Sequence, residues 1–93
     1  MRAIERTTRF KRDYKREAKG RHRGTLSNDL ITILQLLATD APLDACHHDH
    51  LLAGDWADHR DCHIRPDLVL IYQKPNDDTL RLVRLGSHSE LGL

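Results

Sequence analysis

Hydrophobic residues are spaced in two different ways along this chain, and the change between them sets the fold class. Phe10, Tyr14 and Ala18 fall at i, i+4 and i+8, and Leu26, Leu30, Ile33, Leu34 and Leu37 repeat at helical period. Beyond Asp40-Ala41-Pro42 the pattern turns strand-like: Leu68-Val69-Leu70-Ile71-Tyr72 is a continuous β-type run. A turn cluster, Pro75-Asn76-Asp77-Asp78, separates it from a second run, Thr79 to Leu85. Thr7 or Thr8 supplies an N-cap for the first helix, Gly20 a stop, and Thr25 or Ser27 the start of the second. Ile4 lies in a short strand between Arg2 and Thr7, and the segment His50 to His59 holds a further strand and a turn around Gly54-Asp55. The prediction is an α+β domain. A short N-terminal strand and a two-helix hairpin precede three to four antiparallel strands, in one sheet covered by the helices. With 93 residues and no internal repeat, one domain over 1–93 is expected.

Charge is divided as sharply as hydrophobicity. The whole chain has 15 Lys+Arg against 14 Asp+Glu, a formal net charge of +1. Residues 1–24 alone hold ten Lys/Arg and three acids, net +7, while residues 25–93 hold five and eleven, net −6. Lys11, Arg12, Lys15, Arg16 and Lys19 lie on the first helix, a basic surface suited to RNA phosphates. No apolar run is long enough to span a bilayer, and no apolar stretch follows the charged N-terminus, so neither a membrane anchor nor a signal peptide is expected. Two cysteines, Cys46 and Cys62, are too few for a disulfide-stapled scaffold, and a reducing cytoplasm is the expected setting.

Five of the seven histidines lie between positions 47 and 63, among Asp49, Asp58 and Asp61. Asp61 and His63 are two apart on a strand and share a face. Asp67 follows Pro66, and His88 follows the last strand, so His50, His63, Asp67 and His88 converge if the strands are adjacent. A zinc site from Cys46, His50, Cys62 and His63 is one reading, but its spacing fits no standard finger or ribbon, and Cys62 and His63 point to opposite faces. A second reading leaves His47, His48 and His59 on the surface and makes both cysteines small buried hydrophobes. A third is acid–base catalysis, in which one group takes a proton while another delivers one. Metal-free phosphodiester cleavage by 2′-hydroxyl attack, with no cofactor, fits these residue types best; no Ser/Cys nucleophile motif or phosphate-cradling Gly loop is present.

The stretches His48-Asp49-His50-Leu51-Leu52-Ala53-Gly54-Asp55-Trp56, Arg60-Asp61-Cys62-His63-Ile64-Arg65-Pro66-Asp67 and Leu70-Ile71-Tyr72, with the ending Arg84-Leu85-Gly86-Ser87-His88-Ser89-Glu90-Leu91, resemble the YafQ-type toxins of the RelE/ParE superfamily. The resemblance covers essentially the whole chain. It implies a RelE-like fold and a ribosome-dependent mRNA interferase, the toxin of a type II toxin–antitoxin pair that cuts translated mRNA in the ribosomal A site. Its implied partners are an antitoxin of the RelB/DinJ kind, the ribosome and mRNA, with operator DNA reached only through the antitoxin complex. The family's active-site positions match here at His50, Asp61, His63, Asp67 and His88. His88 is expected to be the general acid and Asp67, with His50 or His63, the general base, while Arg60 or Arg84 steadies the phosphate. The chain departs from the family pattern at Leu51, Asp58, His59 and Gly92, the last replacing an aromatic expected to stack on a base. Two other readings are a gyrase-targeting ParE-like toxin, which generally lacks the histidine set, and a non-catalytic nucleic-acid-binding module.

Overall fold

Thr7 joins the first strand to the first helix. Its hydroxyl accepts from the Phe10 N–H at 3.1 Å and donates to the Val83 carbonyl at 2.9 Å, so one side chain caps the helix and ties it to the sheet. The computed structural model describes residues 1–20 and 22–93; Arg21, counted above in the basic stretch, lies outside them. β1 (Ala3–Arg6) leads into α1 (Thr8–Ala18), and α2 (Leu26–Ala38) follows, starting from Thr25. Two 3-10 turns, Ala45–His47 and Gly54–Trp56, flank the short β2 (His50–Leu51). β3 (Arg60–Arg65), β4 (Leu68–Asn76) and β5 (Thr79–Gly86) run antiparallel to one another in sequence, and α3 (His88–Leu91) follows them.

The sheet has five strands in the order β1-β5-β4-β3-β2. Four of them form the expected antiparallel set. β1 joins from the far edge, parallel to β5, with Ile4 opposite Leu80. The helical hairpin carries the chain across one face and packs there: Phe10, Leu26, Leu30, Ile33 and Leu37 meet Cys62, Ile64, Leu68, Leu70, Tyr72, Leu80, Leu82 and Leu85. Leu82 and Leu85 are three apart yet both reach this core, because the β4–β5 register shifts between Ile71 and Tyr72.

Two expectations change here. Ala18 is exposed, and the buried place beside Phe10 on α1 goes instead to Asp13. Cys46 is exposed on the first 3-10 turn, whereas Cys62 is buried as expected. The second face of the sheet is covered in part as well: Val69 and Ile71 lie under Leu91 of α3, with Leu52, Trp56 and Val83 packed around them. α3 itself is a single turn held by a capping box, in which Ser87 accepts from the Glu90 N–H and Glu90 accepts from the Ser87 N–H.

Asp13 ties α1 to the end of β5. Arg84 donates to it through Nε at 2.7 Å and Nη2 at 3.3 Å, Arg16 through Nη1 at 3.1 Å, and the Leu85 N–H at 3.0 Å. Arg16 also reaches the Leu85 carbonyl through Nη2 at 2.9 Å and lies 3.1 Å from Glu90. A Cβ on residue 86 would come within 2.8 Å of that Nη2, so a larger residue there would displace the Arg16 guanidinium.

Candidate active site

Strand alternation puts Asp61 and His63 on the face away from the helical hairpin, while Cys62 and Ile64 enter the core beneath. Register then assembles the rest. His50 on β2 pairs directly with Asp61 on β3, His63 pairs with Val69 on β4, and Val69 pairs with Gly86, two residues before His88. Asp67 sits in the β3–β4 turn at the same end of the sheet. The five residues expected at the site therefore lie together on one face.

The pairings within that group are specific. His88 Nδ1 lies 3.0 Å from Asp67 Oδ1, which also accepts from the His88 backbone N–H at 3.3 Å. A donor Nδ1 toward this carboxylate leaves Nε2 of His88 directed elsewhere. The rings of His63 and His88 meet edge to face with centroids 4.9 Å apart. His50 Nδ1 lies 2.7 Å from the His48 carbonyl and 3.0 Å from Asp61 Oδ1. Only the carbonyl is aligned to receive a hydrogen bond, so Nδ1 carries the proton and Nε2 is the free nitrogen of the neutral ring. Asp61 Oδ1 is accordingly left buried and without a hydrogen bond.

That geometry shifts two groups. Burial pushes the Asp61 carboxyl up, against the pull of the neighbouring charges of His50, His63 and His88. His63 moves down, first through burial and then through His88, with Asp61 opposing and His48 and His50 adding to the depression. A lowered imidazole pKa keeps this ring neutral, and able to accept a proton, over a wider pH range.

His48 is exposed and His47 half-buried, close to the surface placement expected of them, and both take part in the framework. His47 Nδ1 lies 2.7 Å from the His63 carbonyl, and the His48 ring packs on His63 with centroids 5.2 Å apart. His59 meets Trp56 edge to face at 5.5 Å. Asp49 is anchored below the sheet by the Tyr72 hydroxyl at 2.6 Å and by Arg60 Nε at 3.3 Å, which fixes the segment between His48 and His50. Burial and the Asp49 charge push the Tyr72 hydroxyl well above its usual range.

The basic residues divide into two groups. Lys11, Arg12 and Lys15 are exposed on α1, and Lys19 is exposed at its C-cap. Arg16 and Arg84 are engaged at Asp13, and Arg60 shares the face of β3 that carries Cys62 and Ile64, opposite the histidines. The expected placement of Arg60 at the scissile phosphate does not agree with that face, because alternation turns it toward Asp49. Arg84 retains only Nη1 outside its contacts with Asp13. A groove of about 630 Å³ is lined mainly by apolar residues of β1, α1 and α2 with Arg6, Lys11 and Lys15 beside them, on the far side of the sheet from the histidines. No helix among the described residues is long and apolar enough to cross a membrane.

Comparison with known proteins places this arrangement in a family. Residues 2–92 match the model of the bacterial toxin of type II toxin–antitoxin systems, YafQ. The chain belongs to the YafQ toxin family. It is 40% identical over 92 residues to the mRNA interferase toxin YafQ of Escherichia coli, covering 98% of this chain and 96% of that one. The crystal structure of E. coli YafQ superposes with a TM-score of 0.82 at 36% identity, covering 98% of both chains. YafQ in the E. coli DinJ–YafQ complex gives a TM-score of 0.78 at 34% identity, again over 98% of both. The RelE-like α+β expectation agrees with these structures.

Proposed function

We propose that this YafQ-family toxin is an endoribonuclease that cuts translated mRNA on the ribosome by acid–base chemistry of its own side chains. The observation that carries the reading is the sheet face on which His50, Asp61, His63, Asp67 and His88 meet. In the proposed reaction the neutral His63, with His50 beside Asp61, accepts the proton of a 2′-hydroxyl. That oxygen attacks the adjacent phosphorus, and the P–O5′ bond breaks. His88, oriented by Asp67, gives its Nε2 proton to the departing 5′ oxygen, leaving a 2′,3′-cyclic phosphate and a 5′-hydroxyl. Asp67 thus serves the acid in this scheme, because its carboxylate is hydrogen-bonded to His88. Arg84 Nη1 and protonated imidazoles offset charge on the phosphorane.

The exposed cations Lys11, Arg12, Lys15 and Lys19 supply the docking surface for ribosomal RNA. An antitoxin of the RelB/DinJ kind neutralises the toxin, and operator DNA is reached through that complex. The reading is supported by the relative named an mRNA interferase and by the relative that pairs with DinJ. Primer extension on a translated message, with and without ribosomes, tests it. Cuts within the reading frame are expected only when ribosomes are present; cuts on free RNA, or none in either sample, would overturn it.

A further inference from the structure

His48 stands outside the acid–base set, yet it touches that set in two ways. Its backbone is left-handed, with φ 47° and ψ 45°, a region that non-glycine residues seldom occupy. That turn delivers its carbonyl to His50 Nδ1 at 2.7 Å. Its ring lies against His63, which in turn meets His88, so three imidazoles form a row with centroid spacings of 5.2 and 4.9 Å. On both sides the segment is pinned: His47 Nδ1 lies 2.7 Å from the His63 carbonyl, and Asp49 is held by Tyr72 at 2.6 Å.

We propose that His48 is a positioning residue of the cleavage site, setting the tautomer of His50 through its carbonyl and bracing His63 through its ring. The carbonyl oxygen only accepts, so it selects the Nδ1–H form of His50 and leaves Nε2 for the substrate. The ring contributes differently. The charges that act on His63 come from Asp61 on its own strand, His88 from α3, His50 from β2 and His48 from the preceding turn, with His47 at its carbonyl, and of these only Asp61 is an anion. A protonated His48 therefore opposes protonation of His63 and helps keep it a proton acceptor. This inference rests on the proposed cleavage reaction for its consequence, but the positioning itself is measurable without that reaction.

Two substitutions separate the contributions. His48→Gly keeps the left-handed turn and its carbonyl while removing the ring. His48→Val removes the ring and also opposes the turn. Nitrogen-15 NMR of the imidazoles across pH reads both effects on the intact chain. His48→Gly is expected to leave the His50 tautomer as in the wild type and to raise the pH at which His63 titrates. His48→Val is expected to mix the His50 tautomers as well. Cleavage of translated mRNA falls in both, by up to about 10²-fold in His48→Val, where geometry is lost too. The basic shift of His63 should carry the acidic limb of the pH–rate profile with it. An unchanged His63 titration in His48→Gly, together with an unchanged His50 tautomer in His48→Val, would overturn the proposal. If the NMR shifts appear but the wild type cuts no message, the positioning stands and the cleavage reading fails.

Discussion

Among the described residues two aspartates are buried, Asp13 on α1 against the end of β5 and Asp61 on the histidine face of β3, and they are treated in opposite ways. Asp13 is 4% exposed and accepts from Arg84, Arg16 and the Leu85 N–H, so both its oxygens are satisfied. Asp61 is 2% exposed, yet its Oδ1 accepts no hydrogen bond and faces the His50 ring. A buried carboxylate with its partners in place holds structure together. One left short of partners costs stability and is retained where chemistry needs it. The seam between α1 and β5 thus carries architecture, and the histidine face is where the proposed reaction is placed.

Removing each carboxylate breaks the comparison in a different direction. Asp13→Ala leaves Arg84 and the Leu85 N–H without an acceptor and should cost about 3–5 kcal/mol in urea unfolding. A loss below 1 kcal/mol would show that the Asp13 cluster is not structural in the sense argued here. Asp61→Asn should do the reverse, raising stability by about 1–3 kcal/mol while cleavage falls. The sign follows from linkage. The folded-state carboxyl holds its proton to higher pH than the unfolded one, so its contribution is most favourable at low pH. It declines as pH rises from about 4 through the raised value. Unfolding curves from pH 4 to 7 should therefore show a negative slope with pH from this group in the wild type and its loss in the variant. The smallest effect is expected outside both sites. Lys11→Gln with Lys15→Gln should leave stability unchanged and weaken ribosome binding, flattening the log–log salt dependence by about 0.7–0.9 per lysine removed.

Much of this division was legible in the residues. Helical and strand periodicities gave the order of elements, and alternation alone put Asp61 and His63 on one face. What escaped were long-range pairings. Arg16 and Asp13 stand at i,i+3 spacing on α1, a local pair, but nothing local shows that Arg84 also ends on Asp13, because that contact joins α1 to the end of β5 across 71 positions. Parallel pairing of β1 with β5 is hidden for the same reason. α3 was more accessible: Ser87-His88-Ser89-Glu90 has the spacing of a capping box, a signal present in the chain but overshadowed by the strand before it. Asp13, three residues after Phe10, likewise occupied a core position that an apolar stripe through Ala18 misassigned. His48 is exposed and His47 half-buried, close to the surface reading, but the 3-10 turn that brings both to His63 has no periodic pattern to announce it.

The central claim is that the reaction belongs to the histidine face, with His88 delivering the proton. His88→Ala measures it most directly, by primer extension on translated mRNA alongside urea unfolding and antitoxin binding. Cleavage is predicted to fall by about 10²–10⁴-fold, with folding and antitoxin binding unchanged. Cleavage and growth inhibition retained by a folded His88→Ala protein would contradict the account.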